Sequence, residues 1–563
     1  MAASRPEWLL TEIKLQWPAL AKAGVGITVG NTLQIFTSLF VMVVYNKVIP
    51  NEAHNTLTTL AIGVIVLIVF DFLFKVLKSK LADEACQKIE AKLGPRLYNK
   101  ILSWDLQNLP KSVGHSASLN RDLDNTIELF ASSTVTTIVT LPFIVVYLAV
   151  IFLIGGLIVS VPIGLGLCLI AVHVYGFYKS KHIAVEYKNK MIDRSGAFLE
   201  TLTNLETLKS IGSYEYFESK WNKVSKESRS LSSEIKAVNA NSSALNALVI
   251  ALNQVGVVSL GAWLISEQVM SSGALIACVL LSSKALQPIL QISGLLGKLA
   301  QAGESIKRLT GVFQSASAEE RRRENLSVKQ IKFDIRITNL IFQPESLNRP
   351  ILSTKRLKIN YGESVGIIGS VGSGKSTFLK LLAGVLTPTE GQLAFGEFDI
   401  TAINQTDLRR NIAFVGQNPG VFGGSIRDNL VMGAADITDE EIIELCRVSG
   451  LSEILKYMPN GLSFQLSENG KELSGGQRQI LALARAFSTQ PNYLFFDEPT
   501  SAMDPKSERL FVEKMADYAG NKTMVVVTHR KPILALTSRL IVIEQGQIVL
   551  DGRKDEVLKK LST

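Results

Sequence analysis

The stretch Gly369-Ser370-Val371-Gly372-Ser373-Gly374-Lys375-Ser376 carries residue types suited to holding phosphate. It follows an apolar run, Ser364–Ile368, that reads as a strand, and leads into a helical pattern from Thr377 to Leu382. Glycines let the backbone fold tightly enough to aim successive N–H groups at phosphate oxygens. Lys375 reaches β- and γ-oxygens, and Ser376 offers its hydroxyl to magnesium. Gly369, Ser370, Gly372, Ser373, Gly374 and Thr377 complete the expected contact set for a nucleotide. A second apolar run, Tyr493-Leu494-Phe495-Phe496, ends in Asp497 and Glu498. The first carboxylate is placed to hold a magnesium shell, and the second to orient and partly deprotonate an attacking water. Solvated acids at a strand end are common alone. Beside a phosphate loop they point to hydrolysis of a nucleotide.

These residues need an α/β scaffold. From about Ile331 the sequence supplies short apolar strands alternating with helices, the pattern of a largely parallel sheet. The first half is different. Apolar runs near Leu20–Tyr45, Thr56–Leu77, Ala131–Ile154, Leu157–Tyr178, Ser243–Ile265 and Gly273–Leu296 each reach the ~20 residues a helix needs to cross a bilayer. The third and fourth, separated by Gly155-Gly156, are expected to form a tight hairpin. Residues 1–18, with Trp8, Leu9, Leu10, Ile13 and Trp17, fit an amphipathic helix on the membrane surface. The expected organisation is that segment, an all-α six-helix transmembrane domain at 19–312, a linker at 313–330 with charges from Glu319 to Glu324, and a nucleotide-binding domain at 331–563.

Composition agrees with this division. Charged residues make up 19% of the chain, below the ~25% usual for soluble domains, which favours membrane segments. The net charge of +9 suggests nucleic acid, but the basic residues lie beside apolar runs and lack interleaved aromatics, so no nucleic-acid partner is expected. Lysines and arginines gather between spans two and three (Lys78 to Arg121) and between spans four and five (Lys179 to Arg229). The positive-inside rule then puts those loops and both termini in the cytoplasm. Helical patterning such as Ala197, Leu199, Leu202 and Leu205 reads as membrane helices continuing beyond the bilayer. Cys86, Cys168, Cys278 and Cys446 are scattered, without metal or disulfide spacing.

Leu473-Ser474-Gly475-Gly476-Gln477 matches the signature of ATP-binding cassette (ABC) proteins, and the chain resembles exporters of that family. Gln417 resembles the family's Q-loop residue, Ser501-Ala502-Met503-Asp504 its D-loop, and His529 its switch histidine. The resemblance implies ATP and Mg2+ as cofactors. Lys375, Glu498 and His529 would be catalytic, and Ser376, Gln417 and Asp497 would surround the metal. Ser474, Gly475, Gly476, Gln477 and Asp504 would meet ATP from across a dimer interface. With every motif intact, a symmetric homodimer is the preferred reading and a heterodimer with a close paralogue the alternative. The apolar spans exclude soluble members of the family. One position departs from the family: where an aromatic residue usually stacks on adenine stands Gln343, with Phe342 either shifted into that role or an ordinary core residue.

Met42-Val43-Val44-Tyr45-Asn46-Lys47-Val48-Ile49-Pro50-Asn51 and the last span, Gly273 to Pro288, resemble type I secretion ATPases of the branch serving large adhesins and RTX-type proteins. That resemblance implies export of a polypeptide from the cytoplasm across a bacterial inner membrane, with a periplasmic adaptor and an outer-membrane channel as partners besides lipid. Export of a lipid, drug or small peptide on the same architecture is the alternative. About eighteen residues before the first span are too few for the N-terminal peptidase or peptidase-like domain many members carry. Asp71 and Lys284 fall inside spans, where ionisable groups are costly. Lys284 has two readings, lining a translocation path or making a helix–helix contact.

Overall fold

A computed structural model of the chain describes residues 6–108, 113–314, 326–344, 347–434 and 437–562. The charges from Glu319 to Glu324 lie outside the described residues, as does Lys111 of the first basic loop. The chain divides into two compact units, one helical (Met1–Leu102 with Pro110–Ser315) and one α/β (Ser103–Leu109 with Ala316–Thr563).

In the helical unit the segment expected to lie on the membrane surface is the start of one continuous helix, α1 (Glu7–Val43). Glu7 in its first turn complements the helix dipole. Trp8 is buried and donates its indole N–H to Thr310 at 3.1 Å, with its ring 4.7 Å from that of Phe313. Helix α2 (His54–Leu102) has 49 residues, about 74 Å at 1.5 Å per residue, against a hydrocarbon core of about 30 Å. Its two halves differ accordingly. Ile62, Ile65, Ile68, Phe72 and Leu73 point outward as a lipid-facing surface would, whereas Ala82, Ala85, Ile89, Leu93 and Leu97 are buried at helical spacing. The second half therefore continues past the membrane as a packed helix.

Next come α3 (Val113–Ile127), α4 (Ser132–Thr140) and α5 (Phe143–Gly155). The third expected span is thus broken at Leu141-Pro142, because proline has no N–H to continue the ladder. Gly156, at φ +52°, turns the chain into a short 3₁₀ segment and then α6 (Ser160–Thr203), so the reversal falls where expected. However, α5 packs on α9 and α6 chiefly on α8, and the two arms do not close into a tight hairpin. The short α7 (Leu205–Ile211) precedes α8 (Tyr214–Ser266) and α9 (Ser272–Gln314). Among the described residues five helical stretches are long and apolar enough to cross a membrane, and one of them, Ser118–Thr203, contains the chain on both sides of the Gly155-Gly156 reversal. The chain is a multi-pass membrane protein. The two stretches resembling secretion ATPases meet in space: α1 ends in a π turn, Val44–Val48, whose Asn46 side chain accepts from the Gly273 N–H at 3.0 Å.

The α/β unit contains a six-stranded sheet in the order β12-β11-β3-β10-β9-β6 and a four-stranded antiparallel sheet, β2-β1-β4-β5. In the larger sheet β3 (Ser364–Ile368), β6 (Ile412–Val415), β9 (Tyr493–Asp497), β10 (Thr523–Val527) and β11 (Arg539–Glu544) run parallel; β12 (Gln547–Arg553) is an antiparallel edge. Every residue of β9 and β10 is buried, as expected for central strands covered on both faces. The smaller sheet contains β1 (Ile335–Phe342), β2 (Leu352–Ile359), β4 (Glu390–Phe395) and β5 (Phe398–Asp399), and a separate two-stranded pair is formed by β7 (Gly424–Ser425) and β8 (Gln465–Leu466). Part of the expected linker already belongs to this unit: Leu326 donates to Ala402 and accepts from Asn404, and Ser327 donates to Asp407. So does the tip of the first long loop, where Gln107 donates to the Thr387 carbonyl at 2.8 Å.

Candidate functional site

Three parallel strands bring the chemistry together. Val527 at the end of β10 is in register with Ile367 of β3 and Asp497 of β9. The residues that follow each strand therefore emerge at one sheet edge, the carboxyl end where ligands of parallel sheets bind. The phosphate loop follows β3, Glu498 follows β9, and Thr528 and His529 follow β10.

The loop ends at Gly374, which has φ +98° and caps the helix Lys375–Leu382. A Cβ there would lie 3.1 Å from the Ile351 carbonyl, so both conformation and space require glycine. The free N–H groups at the start of this helix face the loop and suit an anion. Lys375 reaches back to the carbonyls of Gly369 and Ser370 at 2.8 and 2.7 Å. Burial lowers its pKa, and the negative charges of Glu498 and Asp497 oppose that shift. The Ser373 hydroxyl is buried and has no partner among the described residues, a donor left over where phosphate oxygens would sit. Ser376, Gln417 and Asp497 line one cavity of about 830 Å³, together with Lys380, Asn418 and Arg485.

Glu498 is held from several sides. Its backbone lies in the left-handed region at φ +51°, a conformation costing on the order of 1–3 kcal/mol for a non-glycine residue. Its N–H donates to the Val527 carbonyl at 2.8 Å, and its own carbonyl accepts from the Gln479 side chain at 2.6 Å. Thr528 donates to one carboxylate oxygen at 3.3 Å; His529 Nε2 lies 4.0 Å from the other.

The signature residues form a separate cluster. Ser474 caps the helix Gly475–Phe487 in a reciprocal box with Gln477, at 3.2 and 2.8 Å. A Cβ on Gly476 would lie 2.7 Å from the Ala502 carbonyl, so glycine lets this helix approach Ser501–Asp504 closely. Asp504 caps the helix Pro505–Ala519 by accepting from the N–H groups of Lys506 and Ser507 at 2.9 and 3.1 Å. Bonds from the Ser507 hydroxyl and N–H hold its carboxyl below the usual carboxylate range. Gln477 and Asp504 thus serve their own helix ends within one chain. No hydrogen bond among the described residues joins Ser474, Gly475 or Gly476 to the phosphate loop. Ser474 and Gly475 are exposed.

Phe342 is 4% exposed and belongs to the core between the sheets, so it is a packing residue. Gln343 is exposed and donates to the Leu347 carbonyl at 3.1 Å.

Sequence reading missed the residues that tie the clusters together. Gln479, buried in the signature helix, bonds to the Glu498 carbonyl and also accepts from the Ala502 N–H at 3.3 Å. Arg530 donates to the carbonyls of Ser501 and Met503 and to Glu508, whose other oxygen accepts from Thr500. A glutamine directly before the apolar run Ile480 to Ala484 was the available signal for Gln479.

A helical membrane unit and a phosphate-loop α/β unit in one chain define a membrane ATPase. Family models sharpen this: the ABC transporter transmembrane region matches residues 20–289 and the ABC transporter model residues 352–501. The chain belongs to the ABC transporters and is an ATP-driven exporter of that family. It is 28% identical over 573 residues to the cyclolysin secretion/processing ATP-binding protein CyaB of Bordetella pertussis, covering 99% of this chain and 79% of that protein. It is also 28% identical over 531 residues to the leukotoxin translocation ATP-binding protein LktB of Mannheimia haemolytica, covering 94% and 75%. A bacterial Atm1-family ABC exporter with ATP bound shares the fold, with a TM-score of 0.82 at 19% identity over 96% of this chain and 97% of that one.

Proposed function

We propose that this exporter moves a polypeptide out of the bacterial cytoplasm as a homodimer in the inner membrane, working with a periplasmic adaptor and an outer-membrane channel. The observation carrying the choice of cargo is a cavity of about 1110 Å³ in the helical unit. Most of the residues lining it carry hydroxyl, amide or charged side chains, such as Ser132, Thr137, Asn239, Ser243, Asn246 and Gln301, so polar and apolar surface alternate along the wall; Leu290 and Leu295 are the large apolar residues among them. Lipid or drug cargo favours apolar walls, whereas an unfolded polypeptide exposes amides that such a surface can solvate. The names of the relatives, which speak of cyclolysin secretion and leukotoxin translocation, agree with this reading.

In the ATPase cycle Lys375 and the loop N–H groups hold the phosphates, and Glu498 orients and deprotonates the attacking water while His529 braces the γ-phosphate side. The exposed Ser474 and Gly475, with Gly476, donate to the γ-phosphate bound by a second copy. Ser376, Gln417 and Asp497 present oxygen atoms around one cavity, a donor set that suits a hard divalent cation. They would hold Mg2+, which when bound neutralises phosphate charge.

The test is ATP hydrolysis by the chain in lipid nanodiscs, wild type beside Glu498→Gln, with C-terminal fragments of candidate secreted proteins. Hydrolysis that such a fragment changes in the wild type, and that falls by about 10²–10⁴-fold in the variant, is the expected result. Hydrolysis indifferent to every fragment yet responsive to lipid or small apolar molecules would replace the polypeptide reading with the alternative.

A further inference from the structure

We infer that a chamber between α1, α2, α4 and α9 is a carboxylate-binding site that takes acidic side chains of the passing polypeptide, an inference resting on the polypeptide reading above. The chamber holds about 200 Å³. That is below the ~300–1,000 Å³ of sites for drug-sized molecules, and enough for a single side chain. Asn31, Gln34, Thr140 and Gln287 line it with amides and a hydroxyl. Asn31 donates to Thr140 at 3.2 Å, and Tyr147 donates to the Asn31 carbonyl at 3.1 Å, so this wall is fixed.

Charge decides what the chamber attracts. Four ionisable residues line it: Asp71, Lys75, Lys78 and Lys284. Asp71 is paired with Lys75 through one oxygen. Its other oxygen abuts α1 at Gly30, where a Cβ would come within 2.9 Å, and has no partner among the described residues. Asp71 and Lys75 cancel. Lys78 and Lys284 are half-buried, and no ion pair or hydrogen bond among the described residues answers either one. A lysine in a membrane span is costly and persists where it faces a partner or a wet cavity. Here three lysines face the single carboxylate of Asp71, which is bonded to Lys75, so the chamber carries a net positive charge and neither Lys78 nor Lys284 is bonded to an anion among the described residues.

The chamber shares Lys75, Lys78, Thr136 and Gln291 with the larger polar cavity, so cargo there reaches it directly. Of the larger cavity's remaining charges, Lys298 is paired with Glu128 at 2.9 Å. The uncompensated positive charge is therefore concentrated at Lys78 and Lys284. An aspartate or glutamate entering the chamber answers both, whereas a neutral amide of the same shape accepts a hydrogen bond but brings no charge.

The experiment uses the full chain in nanodiscs of neutral lipid, without nucleotide, and two fluorescent peptides identical except for aspartate in one and asparagine in the other. The aspartate peptide is expected to bind at least tenfold more tightly, and Lys78→Gln with Lys284→Gln to reduce that preference below threefold while basal hydrolysis is unchanged. In the wild type, glutarate is expected to protect Lys284 from acetic anhydride, read by mass spectrometry, which removes any dependence on how the variant folds. Equal binding of both peptides with no protection by glutarate would overturn the carboxylate site and leave the polypeptide reading standing. Protection by glutarate when neither peptide binds would keep the site and overturn the polypeptide reading. A preference that survives in the double variant would also overturn the site.

Discussion

Asp122 on α3 is fully buried and gathers three elements. Arg308 of α9 donates to both its oxygens at 2.8 and 2.7 Å, and Lys188 of α6 and Ser305 of α9 each donate at 2.8 Å. Asp122→Asn keeps the shape and removes the charge, leaving two cations whose side chains are each only 23% exposed without an anion. Breaking one side of a buried ion pair costs about 3–5 kcal/mol. The cations here keep some water, so the lower end applies, about 3 kcal/mol. At about 2–4 °C per kcal/mol for large domains, apparent Tm falls by roughly 6–12 °C. The chain suits the measurement, because of its five tryptophans only Trp104 lies outside the helical unit, so intrinsic fluorescence in nanodiscs follows that unit. Burial pushes the Asp122 carboxyl up, but the bonds from Arg308, Lys188 and Ser305 outweigh it and hold it below its ordinary value. A depressed folded pKa gives stability that is present above the unfolded value of about 3.9 and is lost as pH falls through the folded one. The gap between wild type and variant is therefore constant from pH 6 to 8 and closes only in acid. Replacing all three charged residues by apolar ones (Asp122→Leu, Lys188→Met, Arg308→Met) is expected to recover most of the loss. An Asp122→Asn protein melting within 1 °C of wild type, or a gap that changes between pH 6 and 8, refutes the reasoning.

Two further outcomes follow from named contacts. Gln479→Leu removes the bond to the Glu498 carbonyl and the one from Ala502; at about 1–2 kcal/mol of lost positioning, kcat for ATP falls about tenfold with KM unchanged, whereas a purely structural role would shift Tm and leave kcat alone. Trp8→Phe loses one hydrogen bond, about 1 kcal/mol, and Trp8→Ala also loses ring packing, about 3 kcal/mol in all, so limited proteolysis near the N-terminus speeds up in that order; equal rates would mean the N-terminal turns of α1 are not anchored on α9.

Legibility in the sequence followed the range of the interaction. Strand, loop and helix around Lys375 are set by the consecutive residues Ser364–Leu382, and so were readable, as was the chain reversal at Gly155-Gly156, though not that its arms pack on other helices. The break at Pro142 was missed because its apolar neighbours on both sides suit one continuous span, and hydropathy does not register a lost N–H. Phe342 was left between stacking on a base and packing in a core. The choice depends on which face of β1 meets the larger sheet, a tertiary fact that burial resolves. Gln479, Arg530 and Asp122 escaped notice for the same reason. Each acts on residues 19 to 186 positions away, and a single sequence holds no record of such pairings.

Those long-range bonds bear on how hydrolysis is controlled. Glu498 occupies a left-handed conformation that only its surroundings can hold, and one of those restraints comes from Gln479, inside the helix that Ser474 caps. A hydrogen bond of 2.6 Å is lost if that helix moves by about 1 Å. The same glutamine grips Ala502, and Gly476 lies against the Ala502 carbonyl, so the helix, the loop before Asp504 and the Glu498 backbone are joined by direct contacts. Whatever engages the exposed N-terminus of the signature helix therefore acts on Glu498, the carboxylate proposed to activate water, through two hydrogen bonds and one glycine contact. In the proposed homodimer that engaging group would be the partner's nucleotide. Each Glu498 would then be set in place only when the neighbouring site is filled, and hydrolysis without a closed dimer would be suppressed by geometry alone.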